Sequence, residues 1–548
     1  MSVNGILIMI MVLPLAGALL ALVAPSGRVA RGLAVGVSAL TLAFTLALFP
    51  AFRGQGLQVG FTLPWLADTG ITLSFALDGI SYVAFLLTAI VAFAGVLVSR
   101  ETRGRGHEFY ALYLALTGGA FGAFASTNLF FFYFFAEFEV LCSYLLIAGW
   151  SSRGDSIFCS NRRSAGIVNM KMPPETAATT VGQEPASRAA MRMTLFVAAG
   201  AVVTLLAFLA LAALGGSFDL AALGAALRQH PLPVMTQKVL FVMLLAGFGV
   251  LLSVWPLHVW APPAYAAAPT PVSMLSAGVL KQLGAYGLIR FAIPLLPDGA
   301  RWCVPYLAVL AIVNILYGGW IALRQKDWKL LISYGAISHA GYILLGLAAL
   351  NRVGIGGVVM MMFAGALSVA LLFALAGTME EQAGTRDITR FSGLARHAPF
   401  IGGCTVMAAL AAAGLPGFTG FVSEVLVLAG GWMEGSFVLR AAVVAGAWGL
   451  VLTAVYMLWA VRNGVFGPPA ADILKVQDAH TVKARLPYLL LLAALLAVGI
   501  WPRLLVDPIQ RSVATITAAQ ERGMGVSPMK HGQDARATLA TQTLTGKP

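Results

Sequence analysis

FFFYFFAEFEVLCSYLLIAGW, residues 130–150, is a run of hydrocarbon about as long as a bilayer is thick, and it holds two carboxylates, Glu137 and Glu139. A run of this length and apolarity reads as a membrane-spanning helix, and carboxylates are what such a helix normally excludes. Centring one charge in a bilayer costs roughly 2.5–3.5 kcal/mol on insertion scales, so an intramembrane ionisable group points first to function. The same combination recurs outward from this stretch. VSMLSAGVLKQLGAYGLI at 272–289 carries Lys281, and GFTGFVSEVLVLAGG at 417–431 carries Glu424.

The remainder is of the same kind. With 59% hydrophobic and 10% charged residues among 548, and a mean hydropathy of +0.86, a soluble globular chain is excluded. Stretches near the ~20 apolar residues of a spanning helix recur at about fourteen places: 5–24, 33–51, 79–99, 108–127, 129–149, 193–215, 238–258, 271–293, 304–323, 329–349, 355–377, 401–430, 438–463 and 486–505. The runs are continuous rather than alternating with period two, which favours helices over a transmembrane barrel. The expected fold class is an all-α polytopic membrane protein. MSVNGILIMIM has no basic residue ahead of its apolar core, so the first span is expected to be a retained helix rather than a secretory signal.

A net charge of +13 raises the question of nucleic acid, but Lys and Arg fall mostly on alternate loops, after spans 1, 3, 5, 9, 11 and 13. By the positive-inside rule those loops face the cytoplasm and both termini lie on the other side. The partners this implies are lipid and other membrane components, with no nucleic acid. The expected location is the inner (cytoplasmic) membrane, crossed many times.

Cys142, Cys159, Cys303 and Cys404 show no ligand spacing and read as small core residues. No Gly-rich nucleotide loop, flavin fingerprint or haem motif is present, so the chain itself is expected to bind no cofactor or metal and to carry no electrons. Two segments depart from the membrane pattern. Residues 151–192 are polar and contain Pro173, Pro174 and Pro185, and read as an inserted loop. Residues 506–548 read as a polar, disordered tail after a transmembrane domain spanning 1–505.

Two spans are broken. Span 7 ends among Pro256, His258, Pro262 and Pro263 and the chain restarts at Pro271; span 12 contains AAAGLPGFTGFVSEV, 411–425, with Gly414, Pro416 and Gly417 ahead of Glu424. Broken helices at corresponding places in two halves of a membrane chain point to an ion path lined by unwound backbone. His258, beside Trp255 and Trp260, reads as a helix-end packing residue.

At these motifs a family resemblance becomes specific. PLHVWAPPAYAAAPTPVSMLSAGV at 256–279, DWKLLISYGAISHAGYILLGL at 327–347, GLPGFTGFVSEVLVL at 414–428 and LDGISY at 77–82 resemble the antiporter-like membrane subunits of respiratory complex I. That superfamily also holds the large subunits of Mrp-type antiporters. Glu424 at the centre of span 12, where chains L and N and the Mrp subunits usually carry Lys, makes the chain most similar to chain M of NADH:quinone oxidoreductase. The resemblance implies two inverted five-helix repeats, about 108–293 and 304–463, with broken helices 7 and 12 and a line of protonatable residues near mid-membrane. On it, the proton-relay candidates are Glu137, Lys281, Lys329, His339 and Glu424. Glu139, about 200° around the helix from Glu137, is assigned to packing or an interface. NADH, FMN, iron–sulfur clusters and quinone are implied in partner subunits of a proton-translocating oxidoreductase.

The sequence departs from that pattern along the relay. Leu251 stands where a span-7 Lys is expected, leaving the Glu137 carboxylate without its cation. Gln282 stands where the span-8 Lys is expected, with Lys281 one residue away, about 100° around a regular helix. Gly365 stands where a span-11 His is expected, and PPAY at 262–265 replaces PDAH. A locally irregular span 8 and the long Lys281 stem would return the ammonium to the path. Three readings follow: a proton-translocating chain M, an Mrp-type cation/proton antiporter, and a scaffold subunit whose own channel is impaired.

Overall fold

Asp78, Asn128, Asp327, Asn351 and Thr481 each start a helix, their side-chain oxygens accepting the backbone N–H groups that a first turn leaves unpaired. These caps occur at the ends of the apolar runs, where the chain leaves hydrocarbon. A computed structural model describes residues 3–53, 59–66, 71–99, 105–150, 185–470, 473 and 475–522.

The helices are α1 Val3–Leu22, α2 Gly27–Ala47, α3 Gly79–Val98, α4 Gly106–Ala125, α5 Leu129–Gly149, α6 Ala186–Gly215, α7 Leu220–Gln229, α8 Val234–Leu252, α9 Ala261–Ala267 and α10 Thr270–Leu295. There follow α11 Pro297–Arg324, α12 Trp328–Ala348, α13 Arg352–Ala383, α14 Pro399–Ala412, α15 Thr419–Glu434, α16 Phe437–Gly464, α17 Val482–Ile500 and α18 Arg503–Arg522. Strands β1 Val59–Leu66 and β2 Ile71–Leu77 form an antiparallel hairpin between α2 and α3, pairing Val59 with Leu77.

Among the described residues twelve helices are long and apolar enough to cross a membrane, or thirteen when Ile388–His397 and Pro399–Ala412, bent by 120°, are joined. The protein is an all-α, multi-pass membrane protein. The expectation of about fourteen spans also counted α4, whose apolar run is diluted by Tyr110, Tyr113, Thr117 and paired glycines. It further read 401–430 as one span, which the chain divides into α14 and α15.

Burial sorts the spans into a centre and a rim. The apolar windows of α3, α10, α12 and α13 are 89%, 94%, 89% and 100% buried, against 39% in α1 and 28% in α17. The central helices touch protein on nearly every side, and the rim helices turn leucines and valines outward, such as Leu19, Leu195 and Val444. Polar groups on the central four are therefore shielded from lipid by the rest of the chain.

Both sequence breaks are present. After α8 the chain turns at Ser253, in the left-handed region at φ 62°. Buried Asn314 of α11 holds this turn, accepting from Trp255 N at 2.8 Å and donating to the Ile337 carbonyl of α12 at 3.2 Å. Between α14 and α15, Gly414 and Gly417 take φ of +70° and +100°, which side chains rarely allow. Helix α10 contains wide π-turns at Ser276–Leu280 and Leu288–Ala292.

The tail differs from expectation. Residues 503–522 form α18, whose Leu505, Ile509, Ser512, Val513 and Ile516 are buried. Spacings of four, three, one and three residues put these on one helical face, an amphipathic pattern too polar overall to read as a span. Helix α18 caps one end of the bundle: Ser512 accepts from Gly79 N at 2.7 Å, and Gln510 Nε2 donates to the Arg352 carbonyl at 3.2 Å. Residues 523–548 and Cys159 lie outside the described residues. So does 151–184 of the expected insert, whose last part, from Ala186, already belongs to α6.

Candidate functional site

Helix α5 presents two opposite stripes. Ala136, Glu139, Val140 and Ser143 share one face and wall an internal cavity. Glu139 is 1% exposed, and neither of its carboxylate oxygens has a hydrogen-bond partner among the described residues. Gly119 of α4 leaves room for it, since a Cβ there would stand 2.9 Å from the Glu139 Cγ. The other stripe carries Phe130, Phe134, Leu141 and Leu145, all exposed, and half-buried Glu137 lies among them. The structure thus turns Glu139 toward the cavity and leaves Glu137 half-buried on the opposite face of α5. An α5 that is apolar all round gives no amphipathic signal to decide between carboxylates two residues apart.

Lys281 reaches the same cavity from α10. Its Nζ donates to the Ala336 carbonyl of α12 at 2.5 Å, and the side chain is 4% exposed. The one-residue offset read from sequence assumed a regular helix. Here the backbone N–H of Lys281 bonds to the Ser276 carbonyl five residues back, at 3.2 Å, so a π-turn resets the direction. Leu251, Tyr265 and Ser276 also line the cavity, which measures about 30 Å³ and is walled mostly by apolar side chains such as Val140, Val197 and Leu280. Gln282 is buried beside Lys281, with its Oε1 unpaired among the described residues.

From Lys281 the polar groups continue along α12. His339 lies one turn beyond Ala336, buried, within electrostatic reach of Lys281. The backbone of Ala412, at the end of α14, lies within hydrogen-bonding reach of the His339 ring. Gly365 faces it, as a Cβ there would stand 3.8 Å from His339 Nδ1 and 3.9 Å from Met361 Sδ. The next turn of α12 brings Tyr342, its ring centre 6.2 Å from that of His339. Tyr342 donates to the Gly446 carbonyl at 2.7 Å and lies within electrostatic reach of Glu424. Glu424 on α15 is 3% exposed, its carboxylate held directly under the bare Cα of Gly414. Its neighbour Ser423 contacts Met361 Sδ at 3.6 Å. Lys281, His339 and Glu424 therefore form one buried file through the central helices, between the two breaks.

Lys329 lies apart from that file, in the first turn of α12. It pairs with Glu380 at 2.7 Å, and Arg386 lies 3.2 Å from Glu380 and 3.4 Å from Asp327. Lys329 Nζ also donates to the Ala268 carbonyl at 3.3 Å, and Arg386 Nη1 to the Ala266 carbonyl at 2.6 Å. Those carbonyls end α9, where a broken helix leaves acceptors unpaired and its dipole negative, a place suited to cations. Glu380 and Arg386 went unnoticed in the sequence because they sit at the far end of a long apolar run. The pair Asp78–Arg290, 2.6 Å apart and buried, was likewise missed. It joins the capping Asp of α3 to the second π-turn of α10 and is supported by Tyr286, whose hydroxyl lies 3.1 Å from Ser81 Oγ.

Comparison with known proteins bears on the family and the fold. A family model described as NADH:quinone oxidoreductase/Mrp antiporter, TM matches residues 177–449. The chain is 32% identical over 504 residues to NAD(P)H-quinone oxidoreductase chain 4 2 of Thermosynechococcus vestitus, covering 90% of this chain and 88% of that protein. It resembles a chain of respiratory complex I from Thermus thermophilus with a TM-score of 0.80 at 28% identity, covering 94% of this chain and 99% of that one. A chain of the Mrp complex from Dietzia shares the fold, with a TM-score of 0.78 at 19% identity over 95% of this chain and 99% of the other.

Proposed function

Since the chain belongs to the transmembrane family shared by NADH:quinone oxidoreductases and Mrp antiporters, we propose that it is the proton-translocating, antiporter-like subunit of an NADH:quinone oxidoreductase-like complex. The observation that carries this reading is the buried file of Lys281, His339 and Glu424 between two broken spans. Each member has an atom that takes up or releases a proton, and burial makes the charge of each sensitive to small movements of its neighbours. Protons pass between Lys281 and His339 and onward past Tyr342 to Glu424, with water filling the gaps.

The carboxylate at 424 supports the chain M type. In this reading spans 4–8 and 9–13 are inverted repeats, and each ends its path at a break. NADH, FMN, iron–sulfur clusters and quinone belong to partner subunits, and this chain moves protons without redox chemistry of its own. It lies in the inner membrane with both termini on the non-cytoplasmic side.

Glu424→Gln tests the reading. In inverted vesicles the variant is expected to pump fewer protons per electron while electron transfer continues; an unchanged ratio overturns the relay. A second reading, a scaffold with an impaired channel, draws on Leu251 and Gly365, which set hydrocarbon or empty space against the Glu139–Lys281 cavity and His339. It predicts that unchanged ratio. An antiporter without redox partners is separated by isolating the complex, since co-purifying iron–sulfur and NADH- or ferredoxin-binding subunits favour the oxidoreductase.

A further inference from the structure

We infer that a cleft between the starts of α2 and α17 binds a phosphate group, of the kind an anionic phospholipid headgroup carries. The cleft measures about 450 Å³, and its walls include Arg31 of α2, Ser99 after α3, Thr378 and Gln382 of α13, and Lys483 and Tyr488 of α17. Helices α2 and α17 both pack on α3, and both are rim helices, their apolar windows 33% and 28% buried. Their first turns lie beside the last turns of α3 and α13, at the end of the bundle whose connections carry most of the Lys and Arg. A bilayer places its headgroups at that level.

The chemistry of the cleft fits an anion. Arg31 Nη2 donates to the Leu97 carbonyl at 3.3 Å, while its Nε is enclosed with no hydrogen-bond partner among the described residues. An enclosed N–H left unpaired is costly, and a guanidinium fork matches two oxygens of one phosphate. Lys483 adds a second, exposed cation from α17. A third cation lies just behind the wall, where Arg485 Nε donates to the Ala479 carbonyl at 2.5 Å.

One carboxylate, Asp478, also lines the cleft, and it is already engaged. Its two oxygens accept from Phe400 N and Ile401 N, each at 3.1 Å, at the start of α14, where the helix dipole offsets its charge. The cleft therefore keeps a positive balance. Buried Thr378 and Tyr488, their hydroxyl oxygens 2.7 Å apart, add polar surface inside it. Leu97, Val98 and Pro487 supply an apolar flank, which suits a phosphate attached to a lipid better than a free one. Gln477 N donates to Gln382 Oε1 at 2.6 Å, tying the α16–α17 connection to α13 and fixing the shape of the cleft. Basic pockets between spans are the usual receptors for anionic headgroups.

The test uses the purified complex in vesicles doped with a photoactivatable phosphatidylglycerol, with the adducts in this chain mapped by digestion. Adducts are expected on the peptides that carry Arg31 and Lys483, and far fewer with a photoactivatable phosphatidylcholine. Below saturation, Arg31→Gln and Lys483→Gln are each expected to lower that labelling roughly tenfold, the loss of one charge-assisted contact. Arg396→Gln, an exposed cation near the same end but off the cleft wall, is expected to label as wild type. Displacement of the label by unlabelled phosphatidylglycerol but not by inorganic phosphate identifies the ligand as lipid; displacement by both identifies free phosphate as a ligand of the same site. Equal labelling by the two lipids, wild-type labelling in both cleft variants, or an equal loss in Arg396→Gln overturns the inference. If Arg31→Gln fails to assemble, the exposed Lys483→Gln decides alone: a loss supports the site and wild-type labelling overturns it.

Discussion

At the scale of single residues, what matters is which way a charge faces and what leaves it room. Gly414 combines a left-handed φ with a bare Cα pressed onto the Glu424 carboxylate. An alanine there carries about 1–2 kcal/mol of backbone strain and must also push the carboxylate aside. Gly414→Ala is therefore expected to lower the thermal stability of the purified complex and reduce protons pumped per electron. Gly403→Ala, with nothing within 4 Å of its Cβ position, is the neutral control, and equal behaviour of the two would refute the role given to Gly414. The sequence disclosed that Lys281, His339 and Glu424 were intramembrane and chemically unusual. It did not disclose facing, because facing depends on helix rotation, and a buried helix that is apolar on all sides carries no rotational label. For that reason the sequence could not say which of Glu137 and Glu139 faces the cavity, and Lys281 looked displaced because residue counting assumes a constant turn.

At the scale of elements, the breaks were read from sequence and the amphipathic cap was passed over. Proline and glycine clusters at 256–271 and 414–417 change what the backbone can do, and they announce themselves in any sequence. Helix α18 is strongly amphipathic, with Leu505, Ile509, Val513 and Ile516 on one face, but its low overall apolarity kept it from reading as a span. It nevertheless bridges the starts of α3 and α13 through Ser512 and Gln510. Val513→Asp would bury an unpaired charge at a fully enclosed position, at a cost of several kcal/mol. Protease digestion of the purified complex is expected to release the C-terminal segment from that variant and not from Leu504→Asp, where the side chain is already 41% exposed. Retention of the segment in Val513→Asp would show that α18 is only loosely attached.

At the scale of the whole molecule, the two ends of the bundle differ. One end gathers the starts of α3 and α13 under α18, and the other gathers the Lys329, Glu380 and Arg386 cluster around the end of α9. If Arg503 lies on the non-cytoplasmic side and Lys326 on the cytoplasmic side, a membrane-impermeant maleimide should label Arg503→Cys in right-side-out vesicles and Lys326→Cys only in inverted ones. The opposite pattern would reverse the proposed orientation and the direction assigned to the path.

The complete enclosure of α13 has a consequence for how such a chain is made. Its apolar window is buried on all sides, and part of its wall is supplied by α15, α17 and α18, which the ribosome has not yet translated when α13 emerges. The most deeply interior helix must first enter lipid as a solitary hydrophobic segment and wait for later helices to displace that lipid. The C-terminal elements thus act as the closing clasp of synthesis, and a chain cut short before them would leave its centre in contact with the bilayer.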